Sequence, residues 1–335
     1  MEKDYLKKDL NLVIDRIHRE GLRAEPIIGV ERTVVAVVGD ITEIPEMKSN
    51  LEETPGVAEV QRISTPYKLS SRQVQKEDTI VDVSGVKFGA KNIVVIAGPC
   101  AVESEKQTVE TAIAVKKSGA KVLRGGAFKP RASPYSFQGL EKEGLKILSK
   151  ARKETGLPVA TEVISPEDVE LVSEYSDILQ IGARNAQNFP LLKKCGKAKR
   201  PIILKRGLGE TIEEWLLSAE YILEGGNKNV ILCERGIRTF EVATRFTLDI
   251  DAIPLTKNLS HLPVIGDPSH GTGKRILVKP VAKACIAAGA DGLIIEVHPN
   301  PEQAKSDSPQ QLNFSEFEIL MREVRKIARA DGRKL

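Results

Sequence analysis

The 335-residue chain has no run of about 18 apolar residues, so no stretch reads as a membrane-spanning helix. Its N-terminus, MEKDYLKKDLNL, lacks the apolar core of a signal peptide, so no secretory leader is expected. Aromatic residues make up only 4% of the chain, which leaves the core to Val, Ile, Leu and Ala. That palette suits buried parallel strands covered by helices. The four cysteines (Cys100, Cys195, Cys233 and Cys285) show no short paired spacing. Neither a disulfide framework nor a zinc finger is expected, and a reducing cytoplasm is. The net charge is only +4, with basic and acidic residues interleaved, so neither nucleic acid nor a membrane is an expected partner.

What is present is 41% hydrophobic and 29% charged residues, enough for one large domain and one small one. Residues 1–66 predict a small α+β sandwich. Leu6 to Leu22 reads as an amphipathic helix, Thr33 to Val38 as a strand, Ile44 to Leu51 as a helix, and Val57 to Ile63 as an alternating strand. Polar residues 67–78 read as a linker. From residue 79 the pattern is regular. TIVDVSGVKFG reads as a hairpin, and eight short apolar runs follow at 93–97, 121–125, 158–162, 177–181, 201–205, 229–233, 262–266 and 291–295. Helical patterns fill most gaps, at 104–117, 139–155, 167–175, 186–194, 211–223, 274–288 and 314–330; the gap after Cys233 is the least clear. Eight strand–helix repeats over residues 79–335 predict an α/β fold, a (β/α)₈ TIM barrel. An open doubly wound sheet would carry a glycine fingerprint after its first strand, where this chain has AGPC.

Barrel enzymes keep their chemistry where strands end. The successive ends offer Cys100; Arg124 with Lys129 and Arg131; Glu162; Arg184; Lys205 and Arg206; Glu234 and Arg235; Asp267 and His270; Glu296 and His298. Each Arg or Lys alone reads better as a solvated side chain. Together they fall into two chemical groups. Arg124, Lys129, Arg131, Arg184, Lys205 and Arg235 form a cationic set that only anions make tolerable in one cavity. Guanidinium forks and ammonium groups suit phosphate and carboxylate. Cys100, His270, Glu296 and Asp307 form a ligand-like set. A thiol, an imidazole and two carboxylates suit one divalent ion of the Mn, Fe, Co or Zn class better than Mg or Ca.

Several strings then resemble one family together: IAGPC (96–100), LRGGAFKPR (123–131), SPYSFQG (133–139), IGARNAQN (181–188), ILKRG (203–207), LCERG (232–236), DPSHGTG (267–273) and IIEVHPNP (294–301). The set resembles the 3-deoxy-arabino-heptulosonate 7-phosphate synthases, the first enzymes of the shikimate pathway, in the type I beta branch with an N-terminal ferredoxin-like domain. The resemblance implies condensation of phosphoenolpyruvate with erythrose 4-phosphate and release of phosphate. It implies that Cys100, His270, Glu296 and Asp307 hold the metal. It also implies that Arg124, Lys129, Arg184, Lys205 and Arg235 hold phosphoenolpyruvate, and that Arg131 with Ser133 holds the sugar phosphate. Lys129, Glu162 and His270 are the catalytic candidates, with proton handling open between Glu162 and a metal-bound water. A homotetramer or dimer and an aromatic amino-acid effector, tyrosine or phenylalanine, are further implications.

Two departures stand out. The family motif KPRTS reads KPRAS here, so Ala132 lacks a hydroxyl for the sugar phosphate. The small domain begins with a helix where the branch has a strand, so either it is remodelled or the true start lies upstream. Three rivals remain. One is 3-deoxy-octulosonate 8-phosphate synthase acting on arabinose 5-phosphate, a relative that typically has Asn where this chain has Pro130. The second is a Schiff-base aldolase using Lys205, and the third is a non-catalytic binding protein.

Overall fold

A computed structural model describes residues 1–29, 33–39, 44, 46–61, 65–89, 91–130 and 133–335. The chain divides into two compact units, residues 1–77 with 259–261, and residues 78–258 with 262–335. In the smaller unit, helix α1 (Lys7–Arg19) buries Val13 and Ile17, the inward positions of its amphipathic pattern. Strands β1 (Arg23–Ile28) and β2 (Thr33–Val38) pair antiparallel, and helix α2 (Met47–Glu52) follows. Val13, Ile17, Leu22, Ala24, Met47 and Leu51 form the core.

Two expectations change here. β1 is a strand the sequence pattern missed, because Pro26 interrupts it. β1 pairs on one side only among the described residues, so the missing N–H of Pro26 costs little. Residues 57–61, expected to be a strand, are irregular, and residues 62 and 63 lie outside the described residues. The carbonyl of Gly56 instead accepts from Glu2 N at 2.8 Å, and the Met1 amino group donates to Thr33 O at 2.9 Å. The first residues thus bond to backbone in this unit without forming the strand that the family pattern has there.

In the larger unit, β3 (Val81–Val83) and β4 (Val86–Phe88) form the expected hairpin. Ser84 (φ 52°) and Gly85 (φ 88°) both take left-handed backbone, as a tight two-residue turn requires. Eight parallel strands follow: β5 (Val94–Gly98), β6 (Val122–Arg124), β7 (Val159–Glu162), β8 (Ile178–Ile181), β9 (Ile202–Lys205), β10 (Val230–Glu234), β11 (Val264–Gly266) and β12 (Gly292–Glu296). They close in chain order, with β12 on β5. Helices α3 (Glu105–Ser118), α4 (Glu141–Thr155), α5 (Val169–Tyr175), α6 (Phe189–Gly196), α7 (Ile212–Glu224), α8 (Ala252–Leu259), α9 (Pro268–Thr272), α10 (Arg275–Ala287) and α11 (Phe314–Ala330) connect them. The unclear stretch after β10 is a long loop, residues 235–251, before α8. Among the described residues no helix is long and apolar enough to cross a membrane.

Val81, Val83 and Phe88 of the hairpin share one buried cluster with Val94, Val122, Ile178, Ile203, Ile231 and Ile294, near the strand starts. The hairpin therefore packs into the N-terminal end of the barrel. The strand C-termini remain for the chemistry.

Candidate active site

The ends of β5 and β12 and the loops around them bring four donor atoms together. The chain leaves β5 through Gly98, where a Cβ would stand 2.0 Å from the carbonyl of Arg124; only glycine lets β5 and β6 approach this closely. Cys100 follows, fully buried. Its N–H donates to Gln311 Oε1 at 3.0 Å, and its thiol donates to Asp307 Oδ2 at 3.3 Å. Burial, helped by the charge of Glu296, pushes the Cys100 thiol up to about 12.

His270 sits in the five-residue helix α9, which Asp267 caps by accepting from His270 N at 3.0 Å. Asp267 Oδ2 also holds His270 Nδ1 at 2.7 Å, which turns Nε2 toward Glu296 Oε1 at 3.2 Å and Asp307 Oδ2 at 3.7 Å. Burial lowers the basicity of His270 against the opposing pull of Asp267 and Glu296. Nδ1 is thus held by Asp267 while Nε2 faces both carboxylates. Asp307 lies well below the ordinary carboxylate range despite its burial, because His270 and Arg245 stand beside it.

The ligand atoms of Cys100, His270, Glu296 and Asp307 all lie within 4.8 Å of one another. Bonds of about 2.0–2.3 Å to one ion space its ligands by up to roughly 4.6 Å, so the set is close to the spacing of a single coordination shell. A thiol, an imidazole and two carboxylates converging in one buried space are a donor set suited to a divalent ion. The His270–Asp267 pairing is the usual support of a metal-bound imidazole.

The cations form a second layer. Arg124 is buried and donates through Nη1 to Glu296 Oε1 at 2.7 Å. Lys129 is buried, with Nζ 3.0 Å from Cys100 O and 3.1 Å from its Sγ. Lys205 Nζ donates to Asp267 Oδ2 at 2.6 Å. Arg235 differs from these. Its guanidinium lies 4.0 Å from the Phe246 ring centroid and donates to Gly236 O at 3.0 Å, and no carboxylate pairs with it among the described residues. Burial lowers its affinity for its proton. A buried guanidinium without an acid is a ready anion site.

Models of known families describe the whole chain. The DAHP synthetase I family matches residues 69–330, and the DAHP synthase ferredoxin-like domain matches residues 1–65. The chain belongs to the DAHP synthetase I family. A phospho-2-dehydro-3-deoxyheptonate aldolase of Thermotoga maritima is 49% identical over 329 residues, covering 98% of this chain and 97% of that protein. A crystal structure of the DAHP synthase of Thermotoga maritima matches with a TM-score of 0.80 and 48% identity, over 99% of this chain and 97% of that one. A 2-dehydro-3-deoxyphosphooctonate aldolase of Nitrobacter winogradskyi is 31% identical over 266 residues, covering 73% of this chain and 91% of that protein. The octulosonate rival is thus a more distant relative, and the small domain is shared with the heptulosonate enzymes.

Within this DAHP synthetase fold the remaining expected residues fall in different places. Arg184 is exposed, with no hydrogen bond or ion pair among the described residues. Glu162 is half-buried and accepts from Gln180 Nε2 at 3.5 Å; a Cβ at Gly182 would stand 2.1 Å from its Oε1. Ser133 is exposed, its hydroxyl accepting from Tyr135 N at 3.3 Å. Arg131 and Ala132 lie outside the described residues.

Not every strand end opens to the site. Arg206 donates to Glu234 Oε2 and Asp249 Oδ2, both at 3.0 Å, so this cation and this acid satisfy each other. His298 Nε2 stands 3.6 Å from Glu103 Oε2, and its Nδ1 accepts from Asn300 N at 3.1 Å. Cys195, Cys233 and Cys285 are free and buried. Sequence reasoning missed Arg245, Gln310, Gln311 and Ser306, which lie in irregular loops where no period marks them.

Proposed function

We propose that this site carries out the condensation of phosphoenolpyruvate with erythrose 4-phosphate and water, giving 3-deoxy-arabino-heptulosonate 7-phosphate and phosphate, with one divalent ion held by Cys100, His270, Glu296 and Asp307. The observation that carries the reading is the convergence of those four donors within 4.8 Å of one another. When bound, the ion supplies Lewis-acid polarisation of the sugar aldehyde.

The protein's own groups do the rest. Arg124, Lys129, Arg184, Lys205 and Arg235 bind the phosphate and carboxylate of phosphoenolpyruvate and orient its methylene carbon toward the aldehyde. Arg131 and Ser133 receive the sugar phosphate. As the new C–C bond forms, carbon two of phosphoenolpyruvate becomes electron-poor and takes up water. The C–O bond to phosphate then breaks, and the guanidinium and ammonium groups stabilise the departing anion. In this reading Glu162, at the end of β7, or a water on the ion handles the proton. Lys205 Nζ donates to Asp267 Oδ2 at 2.6 Å, which engages the amine that a Schiff base would use.

In the same reading, residues 1–66 are a regulatory domain for an aromatic amino acid, residues 67–78 a linker and residues 79–335 the catalytic barrel. The enzyme acts in a reducing cytoplasm as a homotetramer or dimer. The test is turnover with each of Mn, Fe, Co and Zn after chelation, using erythrose 4-phosphate or arabinose 5-phosphate. Loss of activity on chelation, recovery with metal and preference for the four-carbon sugar are expected. Metal-independent turnover, or preference for arabinose 5-phosphate, would refute it.

A further inference from the structure

Glu296 and Asp307 each turn one carboxylate oxygen toward the donor cluster and keep the other engaged elsewhere. Asp307 Oδ2 faces Cys100 and His270, while Oδ1 accepts from Arg245 Nη1 at 3.1 Å. Glu296 Oε1 faces His270 and Arg124, while Oε2 accepts from Gln310 Nε2 at 2.5 Å. Gln310 Oε1 in turn accepts from Arg245 Nη1 at 2.9 Å. One guanidinium and one amide thus join the two carboxylates in a continuous bridge. Its ends come from different loops: Arg245 from residues 235–251, Gln310 from the stretch between β12 and α11.

Asp307 needs such a hold. Its backbone is left-handed, with φ of 52°, and no glycine relieves the strain. That conformation is uncommon for a non-glycine residue and is kept where the surroundings fix it. A free carboxylate could also rotate and offer either oxygen, or both, to an ion. The bridge removes that freedom from both acids at once. Arg245 has a second support in Phe246, whose ring centroid lies 5.7 Å from it and 4.0 Å from Arg235.

We propose that Arg245 and Gln310 are positioning residues for the ion, setting which oxygen of Asp307 and of Glu296 faces it. The inference rests on the metal reading above and goes beyond it to residues that touch neither ion nor substrate. A part confined to holding two loops together would affect folding, whereas positioning affects ion affinity in a folded protein.

The test is manganese(II) binding by the full-length, metal-free chain, read from the paramagnetic resonance of the free ion, with thermal unfolding of the ion-free protein measured alongside. Arg245→Met and Gln310→Met should each weaken binding by about 10–100-fold, the usual effect of losing a partner behind a ligand, with unfolding midpoints close to the parent. Arg245→Lys, which keeps the charge and loses the planar fork, should fall between. The double variant should lose less than the product of the two factors, because either change alone cuts the same bridge. Parent-like affinity in both single variants would overturn this inference and leave the metal reading standing. Weakened binding matched by an equal loss of ion-free stability would also overturn it. A parent chain that binds no manganese would overturn both.

Discussion

Arg206 and Arg235 are one strand apart, both buried, and chemically opposite. Arg206 is neutralised by Glu234 and Asp249, whereas Arg235 has an aromatic face and one carbonyl. Removing Arg206 strands a fully buried acid, so Arg206→Ala should destabilise the fold by about 3–5 kcal/mol in denaturant unfolding. Arg235→Ala removes a cation that no acid balances. It should leave unfolding near the parent and raise the KM for phosphoenolpyruvate by roughly 10- to 100-fold, the worth of charge-assisted hydrogen bonds to an anion. Equal stability losses in the two variants would contradict the distinction. Residue types alone placed both arginines at strand ends. Only the fold shows which is already paired, because Asp249 reaches Arg206 from a loop that no pattern marks.

At the scale of elements, the barrel strands are short apolar runs, and a run buried on both faces announces itself in composition. All eight were therefore legible, as were the hairpin and the barrel helices other than α8 and α9, with boundaries shifted by a few residues. β1 was not, because Pro26 breaks its pattern. The strand expected from Val57 was over-read, because its neighbour Gly56 bonds to the N-terminal segment. The loop of residues 235–251 has no period at all. Its order comes from particular contacts: the Ile237–Thr247 bridge, Asp249 on Arg206, and Phe246 between two arginines. The same holds for the site. Cys100, His270, Glu296 and Asp307 were legible as donor types, while Arg245 and Gln310 are recognisable only by what they touch. β5 and β6 give a test at this scale. Gly98→Ala would place a methyl 2.0 Å from Arg124 O, so backbone must move. Activity and metal binding are expected to fall together while the far-ultraviolet dichroism stays barrel-like; unchanged activity would show that this close approach does not matter.

For the whole molecule, the hairpin of β3 and β4 belongs to the larger unit and fills the barrel end opposite the chemistry. The barrel's apolar core therefore closes without the first 77 residues. A chain of residues 78–335 is expected to fold cooperatively and to condense both substrates, and to lose any response to tyrosine or phenylalanine that the full chain shows. A truncated chain that stays unfolded, or that keeps the amino-acid response, would contradict that division of labour.

In the proposed site the sulfur of Cys100 and the imidazole of His270 share one ion, which cobalt(II) titration of the metal-free protein, followed by absorbance, puts to the test. The account predicts a near-ultraviolet sulfur-to-cobalt charge-transfer band that grows to one equivalent together with activity, and that is missing from a folded Cys100→Ser variant. A cobalt-activated enzyme without that band, or a band that survives in Cys100→Ser, would contradict it.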